Sequence, residues 1–230
     1  MVNIKGSTVV VTGGQRGLGK AVVDELLRRG AVKVYATART PRRSDDPRVL
    51  SVELDVTKSD SVAALARTAS DADIVVNNAG ILAGLKLLDS DIEEVRAVFE
   101  TNYFGALRVA KAFAPVLAEN GGGALVDISS VLSWVGGFGG YGDSKAAIWS
   151  LSNSLRIELE KQGTLVTSVH LGYTDTEMTS GFDVPKNDAR DVAREIVDGI
   201  ERGDAEVLAD DMTRHIKAAL SGPVEALRVS

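Results

Sequence analysis

Residues Ser7 to Ala38 read STVVVTGGQRGLGKAVVDELLRRGAVKVYATA. The run Ser7–Thr12 is short and rich in β-branched residues, the composition of a buried strand. It stops at Gly13-Gly14-Gln15-Arg16-Gly17-Leu18-Gly19. From Lys20 to Arg29 the apolar residues Ala21, Val22, Leu26 and Leu27 fall at helical spacing, and Gly30 ends the helix. Ala31–Ala38 then returns to a strand. Strand, glycine loop, helix and strand make a βαβ unit. Glycines allow the tight turn and let backbone N–H groups approach a pyrophosphate at the helix N-terminus, where the helix dipole favours an anion. The competing reading is a glycine-rich turn without a ligand, and the position between a strand and a helix argues against it.

The tip of the second strand bears on the cofactor. An acid there would bind the ribose 2′-hydroxyl of NAD. The strand instead ends Thr37-Ala38-Arg39, and Arg16 sits in the glycine loop. Two guanidiniums suit a 2′-phosphate, so NADP(H) is expected over NAD(H).

Working outward, strands are expected at Val49–Leu54, Asp73–Val76, Ala124–Ser129, Leu165–Leu171 and Glu206–Ala209, alternating with helices. One of these helices is read as continuous from Asp91 to about Leu117, with Asn102 the polar exception on its apolar stripe. The alternation implies an α/β fold with a mostly parallel seven-stranded sheet, helices on both faces, and ligands beyond the strands' C-terminal ends. Asp55 stands at one such end, placed either to meet an adenine edge or to cap the next helix. Asn77-Asn78-Ala79-Gly80 stands at another.

Ser129 to Lys145, SSVLSWVGGFGGYGDSK, carries the candidate chemistry. A phenol, with a pKa of about 10, is a poor acid–base catalyst near neutrality. Lys145 follows Tyr141 by four residues, on the same helix face, where its ammonium can lower the phenol's pKa. A nearby serine hydroxyl can hold a carbonyl or alcohol oxygen. Ser130 stands at the strand end, with Ser129 and Ser133 as alternatives. Trp134, Met178, Phe182 and Val184 are candidates for an apolar substrate pocket, the last three on a short lid at about 174–187.

The whole chain sets the limits. Its 230 residues suit a single domain, 1–230, with a C-terminal tail from about 211 to 230. The net charge of −6 offers no basic field for nucleic acid or anionic membrane. There is no cysteine, and only His170 and His215, so no metal site is expected. No signal peptide or membrane-spanning run is read, and the expected location is cytoplasmic.

Together these motifs resemble the classical short-chain dehydrogenase/reductase family, over nearly the whole chain. Thr12-Gly13-x-x-x-Gly17-x-Gly19 is similar to its cofactor loop and Asn77 to Gly80 to its strand-stabilising motif. Asn102, Ser130, Tyr141 and Lys145 fit its catalytic tetrad, and Gly172 to Thr176 its segment beside the nicotinamide. The resemblance implies a Rossmann-type fold and hydride transfer between NADP(H) and a ketone or aldehyde and its alcohol. Tyr141 would be the acid/base, Ser130 would bind the substrate oxygen, Lys145 would hold the nicotinamide ribose, and Asn102 would position a relay water. It further implies cofactor contacts from Gly13, Gln15, Arg16, Gly17, Leu18, Gly19, Arg39, Asp55, Val56, Asn78, Ala79, Gly80, Gly172, Thr174 and Thr176, and a homodimer or homotetramer built on the long helices. Two features depart from the family. The interval from Ser130 to Tyr141 is shorter than usual, and Leu171-Gly172 stands where the family commonly has Pro-Gly. A sensor that binds NADP(H) without turnover is the alternative function.

Overall fold

The computed structural model describes residues 2–227; the last three residues of the expected tail, 228–230, lie outside the described residues. Seven strands form one sheet: β1 Thr8–Val11, β2 Lys33–Ala38, β3 Val49–Glu53, β4 Ile74–Asn77, β5 Ala124–Ile128, β6 Leu165–His170 and β7 Glu206–Leu208. Their order is β3-β2-β1-β4-β5-β6-β7, and every pair is parallel. This is the doubly wound arrangement expected from the sequence. The winding direction reverses between β1 and β4, so a crevice opens above their C-terminal ends.

Successive strand side chains point to opposite faces. Val9 and Val11 of β1 therefore join a core with α1 (Gly17–Arg28) and α6 (Ala189–Arg202). Val10 joins the core on the other face, with α2 (Ser59–Thr68), α4 (Gly105–Glu119) and α5 (Gly139–Leu159). A third, smaller cluster joins Val131, Trp134 and Val135 to Ile216 of α7 (Asp211–Ala219). Asp210 caps α7, accepting from the Thr213 amide at 2.8 Å.

The expected continuous helix from Asp91 is interrupted. α3 (Ile92–Phe99) and α4 flank a π-helical turn, Glu100–Phe104. The wider turn carries Asn102, which is 1% exposed; π turns inside helices often mark functional positions. At Gly105 the helix presses on the chain after β3, where a Cβ would lie 2.8 Å from Val56. The start of α1 also differs. Gly17 and Leu18 already belong to the first turn, so the glycine loop is itself the helix N-terminus.

Candidate active site

The glycine loop is held from both sides. Gly14 donates its N–H to the Thr37 carbonyl at 3.0 Å, and Gly13 to the Thr37 hydroxyl at 3.3 Å. Asn78 donates to the carbonyls of Thr12 and Gly13 at 2.9 and 3.2 Å. The Asn78 and Ala79 amides both donate to the Thr12 hydroxyl. The side chain of Asn78 thus stitches β4 to the loop. A Cβ on Gly19 would lie 2.3 Å from the Gly13 carbonyl and 2.5 Å from the Asn78 amide, so only glycine fits.

A pyrophosphate fits this loop. The N-cap residue of α1, Arg16, makes no side-chain bond into the first turn, and that turn carries no acid. Its first N–H groups have no partner within the helix and face the crevice between β1 and β4.

Two expectations at the adenosine end change. Asp55 does not cap α2: its carboxylate accepts from the Thr57 amide and hydroxyl, at 3.0 and 2.7 Å, and Lys58 is the N-cap. Those bonds hold the Asp55 carboxyl below its usual range. Arg16 does not point alone toward a ribose phosphate. It pairs at 2.7 Å with Glu177 of the lid, an acid that faces it across the loop. Arg39 is exposed and has no ion pair among the described residues. Gln15 bonds the Arg42 backbone through both ends of its amide, pinning the β2–β3 loop beside Arg39.

The lid meets the loop. Its two ends pair through Thr174 and Asn187. Thr176 stands over Gly17, whose Cβ would be 3.4 Å away. The amide of Gly172 is anchored at 2.6 Å to the Asp210 carboxylate, and Thr174 is buried with its hydroxyl toward the Gly172 carbonyl.

The three serines after β5 separate by environment. Ser129 and Ser133 bond each other at 2.6 Å, and each lies 3.1 Å from the Lys145 carbonyl, inside the domain. Ser130 lines the cleft with Tyr141. Its hydroxyl accepts from the Leu132 amide at 3.1 Å and is 3.5 Å from the Leu171 carbonyl. The remaining lining is Leu82, Val131, Leu132, Phe138, Gly172, Tyr173, Met178, Thr179, Phe182 and Met212, without a charged side chain. Met178 and Phe182 are where the sequence put them. Trp134 is not: it is buried in the small α7 cluster, stacked on His170. Val184 is exposed and outside the lining.

Phe138, Tyr173 and Met212 were not anticipated. Phe138, Tyr173 and Phe182 touch pairwise, with ring centroids 5.6 to 6.0 Å apart. A lone aromatic within Gly136-Gly137-Phe138-Gly139-Gly140 was the available signal. Phe138 has φ of 60°, the one positive value outside glycine among the described residues. It heads α5, whose Gly139 touches the Gly84 backbone so closely that a Cβ would come within 2.2 Å.

Asn102 and Lys145 brace Tyr141. The Asn102 amide accepts from the Ile81 N–H at 2.9 Å and donates to the Ile81 carbonyl and the Ser144 hydroxyl, at 3.1 and 3.0 Å. Ser144 donates in turn to the Tyr141 carbonyl at 2.7 Å. One amide hydrogen thus holds the chain after β4 at Ile81, and the other holds the start of α5 through Ser144. Lys145 is buried, donates to the Ile128 carbonyl at 2.8 Å, and sits 5.6 Å from the Tyr141 ring centre. Burial lowers its pKa to about 8, partly offset by the charge of Asp127. Asp127 is wholly buried between Asn77 and Ser152, at 2.9 and 2.7 Å, and burial pushes its carboxyl up.

Lys145 does not lower the Tyr141 pKa here. Burial pushes the phenol up to about 12, because the ammonium is directed at Ile128 and the cleft around the half-buried ring is apolar.

Residues 7–186 match the family model for short chain dehydrogenases. The chain belongs to the short-chain dehydrogenase family. An uncharacterized oxidoreductase of Myxococcus xanthus is 34% identical over 225 residues, covering 90% of this chain and 88% of that protein. The 3-oxoacyl-[acyl-carrier-protein] reductase MabA of Mycobacterium tuberculosis is 35% identical over 183 residues, 76% of this chain and 72% of that protein. Among solved structures, a short chain dehydrogenase from Burkholderia cenocepacia in complex with NADP superposes with a TM-score of 0.92 at 37% identity, covering 98% of this chain and 97% of that one. A short-chain dehydrogenase from Sphingobium yanoikuyae in complex with NADPH gives 0.83 at 26% identity, covering 94% and 92%. Among the described residues no helix is long and apolar enough to cross a membrane. The family's oxidoreductase activity thus comes to a cleft where the phenols of Tyr141 and Tyr173 and the hydroxyls of Ser130 and Thr179 stand in otherwise apolar walls.

Proposed function

We propose that this short-chain dehydrogenase uses NADPH to reduce neutral, apolar aldehydes or ketones to alcohols. The observation that carries the reading is that Ser130 and Tyr141 line one cleft free of charged side chains. When bound, the cofactor supplies a hydride to the carbonyl carbon. Ser130 donates a hydrogen bond to the carbonyl oxygen, and Tyr141 gives its proton to the oxygen as charge develops there. Lys145 has three ammonium protons and uses one on Ile128, leaving two for the nicotinamide ribose hydroxyls. Asn102 holds the start of α5 through Ser144, and so sets where Tyr141 stands. A phenol pushed up to about 12 is protonated at neutral pH, which suits reduction over oxidation. The apolar walls disfavour a keto acid, whose carboxylate would be desolvated without a partner. With benzaldehyde and phenylglyoxylate offered in parallel, the expected result is NADPH consumption with benzaldehyde and little with the keto acid; the reverse order contradicts the substrate reading.

NADPH over NADH is supported by Arg39 at the tip of β2, where no acid stands to repel a phosphate. A charge-assisted hydrogen bond contributes about 1.5–3 kcal/mol, so Arg39→Asp should raise the KM for NADPH about 10- to 100-fold and lower that for NADH. Equal Michaelis constants for both cofactors in the unaltered chain would remove this part of the proposal. A homodimer or homotetramer through the long helices is supported by the exposure of Phe104 and Ile157.

Phe138 is proposed to read the substrate's flat group. A non-glycine residue in the left-handed region costs about 1–2 kcal/mol, and this one is held at the cleft by its neighbours' rings. Phe138→Gly removes the ring and the strain together, so the KM for benzaldehyde should rise several-fold with little change in Tm. Phe138→Ala keeps the strain and loses the ring, and should melt lower. Michaelis constants and melting curves on both variants check this.

A further inference from the structure

His170 ends β6 and is wholly buried. Its Nδ1 lies 3.1 Å from the backbone carbonyl oxygen of Ser130. A carbonyl can only accept, so Nδ1 carries the hydrogen. On its other side Nε2 is 3.1 Å from the Ser168 hydroxyl and 3.4 Å from a carboxylate oxygen of Glu206 on β7. The second Glu206 oxygen takes the Lys217 ammonium of α7 at 2.6 Å. Lys217 lies over the rings of Trp134 and Trp149, 5.0 and 5.5 Å from their centres, and Trp134 stacks on the imidazole at 3.9 Å. Desolvation works to raise the Glu206 pKa, but His170 and Lys217 outweigh it and hold it at about 2. The imidazole is therefore fixed at both edges and on one face.

What it fixes is the backbone under the hydroxyl that lines the cleft. Ser130 is the second residue beyond β5, and its neighbours are zipped to β6 and the residue after it: Ser129 donates to the Val169 carbonyl at 2.8 Å and Val131 to the Leu171 carbonyl at 2.9 Å. Between them the Ser130 carbonyl turns to His170 and also accepts from the Ser133 amide at 3.1 Å. The Ser130 hydroxyl donates only a long bond, 3.5 Å, to the Leu171 carbonyl. The backbone is locked while the hydroxyl can turn to a ligand. A donor acting on developing charge must be placed before the reaction, because small misplacements cost large factors in rate.

We propose that His170 is a positioning residue for Ser130, and that it ties the end of β5 to α7 through Glu206 and Lys217. The proposal rests on the reading of Ser130 as the hydroxyl that binds the substrate oxygen. It gives the buried Trp134 a task, the packing of the imidazole face. It also makes α7 able to alter turnover from outside the cleft.

A double-mutant cycle with NADPH and benzaldehyde tests it, with kcat, KM, NADPH affinity and Tm measured for each variant. His170→Leu should lower kcat at least about tenfold with NADPH affinity unchanged. His170→Asn, whose amide nitrogen stands as many bonds from Cα as Nδ1, should recover most of that loss. In a Ser130→Ala background His170→Leu should cost nothing further, since residues acting through one group are non-additive. A double variant that loses the product of the two single losses overturns the proposal. Unchanged turnover in Ser130→Ala alone overturns the Ser130 reading, and the positioning role with it. Should His170→Leu not fold, Lys217→Met at the solvent end of the chain of contacts takes its place in the same cycle, judged by the same criteria. With only two histidines in the chain, 15N-histidine NMR reads the brace without substrate. A slowly exchanging Nδ1 proton on His170, shifted in Lys217→Met, is expected; a His170 protonated on Nε2 alone overturns the assignment.

Discussion

Tyr141→Phe should lower kcat for carbonyl reduction by about 10²- to 10⁴-fold, the usual contribution of a positioned general acid, while the affinity for NADPH stays within a factor of two or so. The two effects separate because the hydroxyl and the ring do different things. The ring helps wall the cleft, and Phe keeps it. Burial is the sole cause that pushes the hydroxyl's pKa up to about 12, and among the described residues no group is hydrogen-bonded to that hydroxyl. Removing it leaves no partner unsatisfied, and Tm should hold or rise slightly. Equal turnover in Tyr141→Phe would move the acid elsewhere, with Tyr173 the other ionisable group that lines the cleft.

Lys145→Met should abolish most turnover and stabilise the fold at once. A lysine whose pKa is lowered from 10.5 to about 8 is held in a place that disfavours its charge. Below pH 8 both the folded and the unfolded chain carry the proton, and the folded chain bears the full cost of the buried charge. Between pH 8 and 10.5 the unfolded chain alone keeps it, so this cost falls as pH rises. At neutral pH the cost is about 3 kcal/mol, against about 1 kcal/mol for the Ile128 carbonyl left without its donor. The net gain of about 2 kcal/mol corresponds to a Tm about 4–8 °C higher. Asp127, already pushed up by burial, loses a favourable charge and becomes easier to protonate. Turnover in the unaltered chain should fall as pH rises through about 8, where Lys145 loses the proton that the ribose contacts need. A stability gain bought with activity is common where a strained group serves function. A melting curve that drops on Lys145→Met, or a pH–rate profile flat to pH 10, contradicts this account.

The sheet was legible because its strands are β-branched runs broken by glycine, and because Gly13 to Gly19 announced the first βαβ unit. Each expected strand falls within two residues of its observed span. The break at Glu100–Phe104 was not legible: a π turn shifts the helical register by one residue and leaves the apolar spacing on either side nearly intact. The choice among Ser129, Ser130 and Ser133 was left open by the sequence, since it depends on which hydroxyl faces the cleft and which face Lys145. Trp134 was misread because an aromatic after a strand end can turn either way; here the imidazole of His170 and the ammonium of Lys217 take it. Arg16 looked free for a phosphate because Glu177, its partner, is 161 residues away in sequence. Pairings of that range come from the fold, and local pattern does not contain them.

The most direct test follows the hydride. The chain is incubated with benzaldehyde and NADPH carrying deuterium on the transferable face of nicotinamide C4, and the benzyl alcohol formed is analysed by mass spectrometry. The account predicts a single deuterium at the carbinol carbon, and its loss in Tyr141→Phe. Tight NADPH binding with no deuterium passed to any neutral aldehyde or ketone would contradict it and favour a protein that senses the cofactor without turning it over.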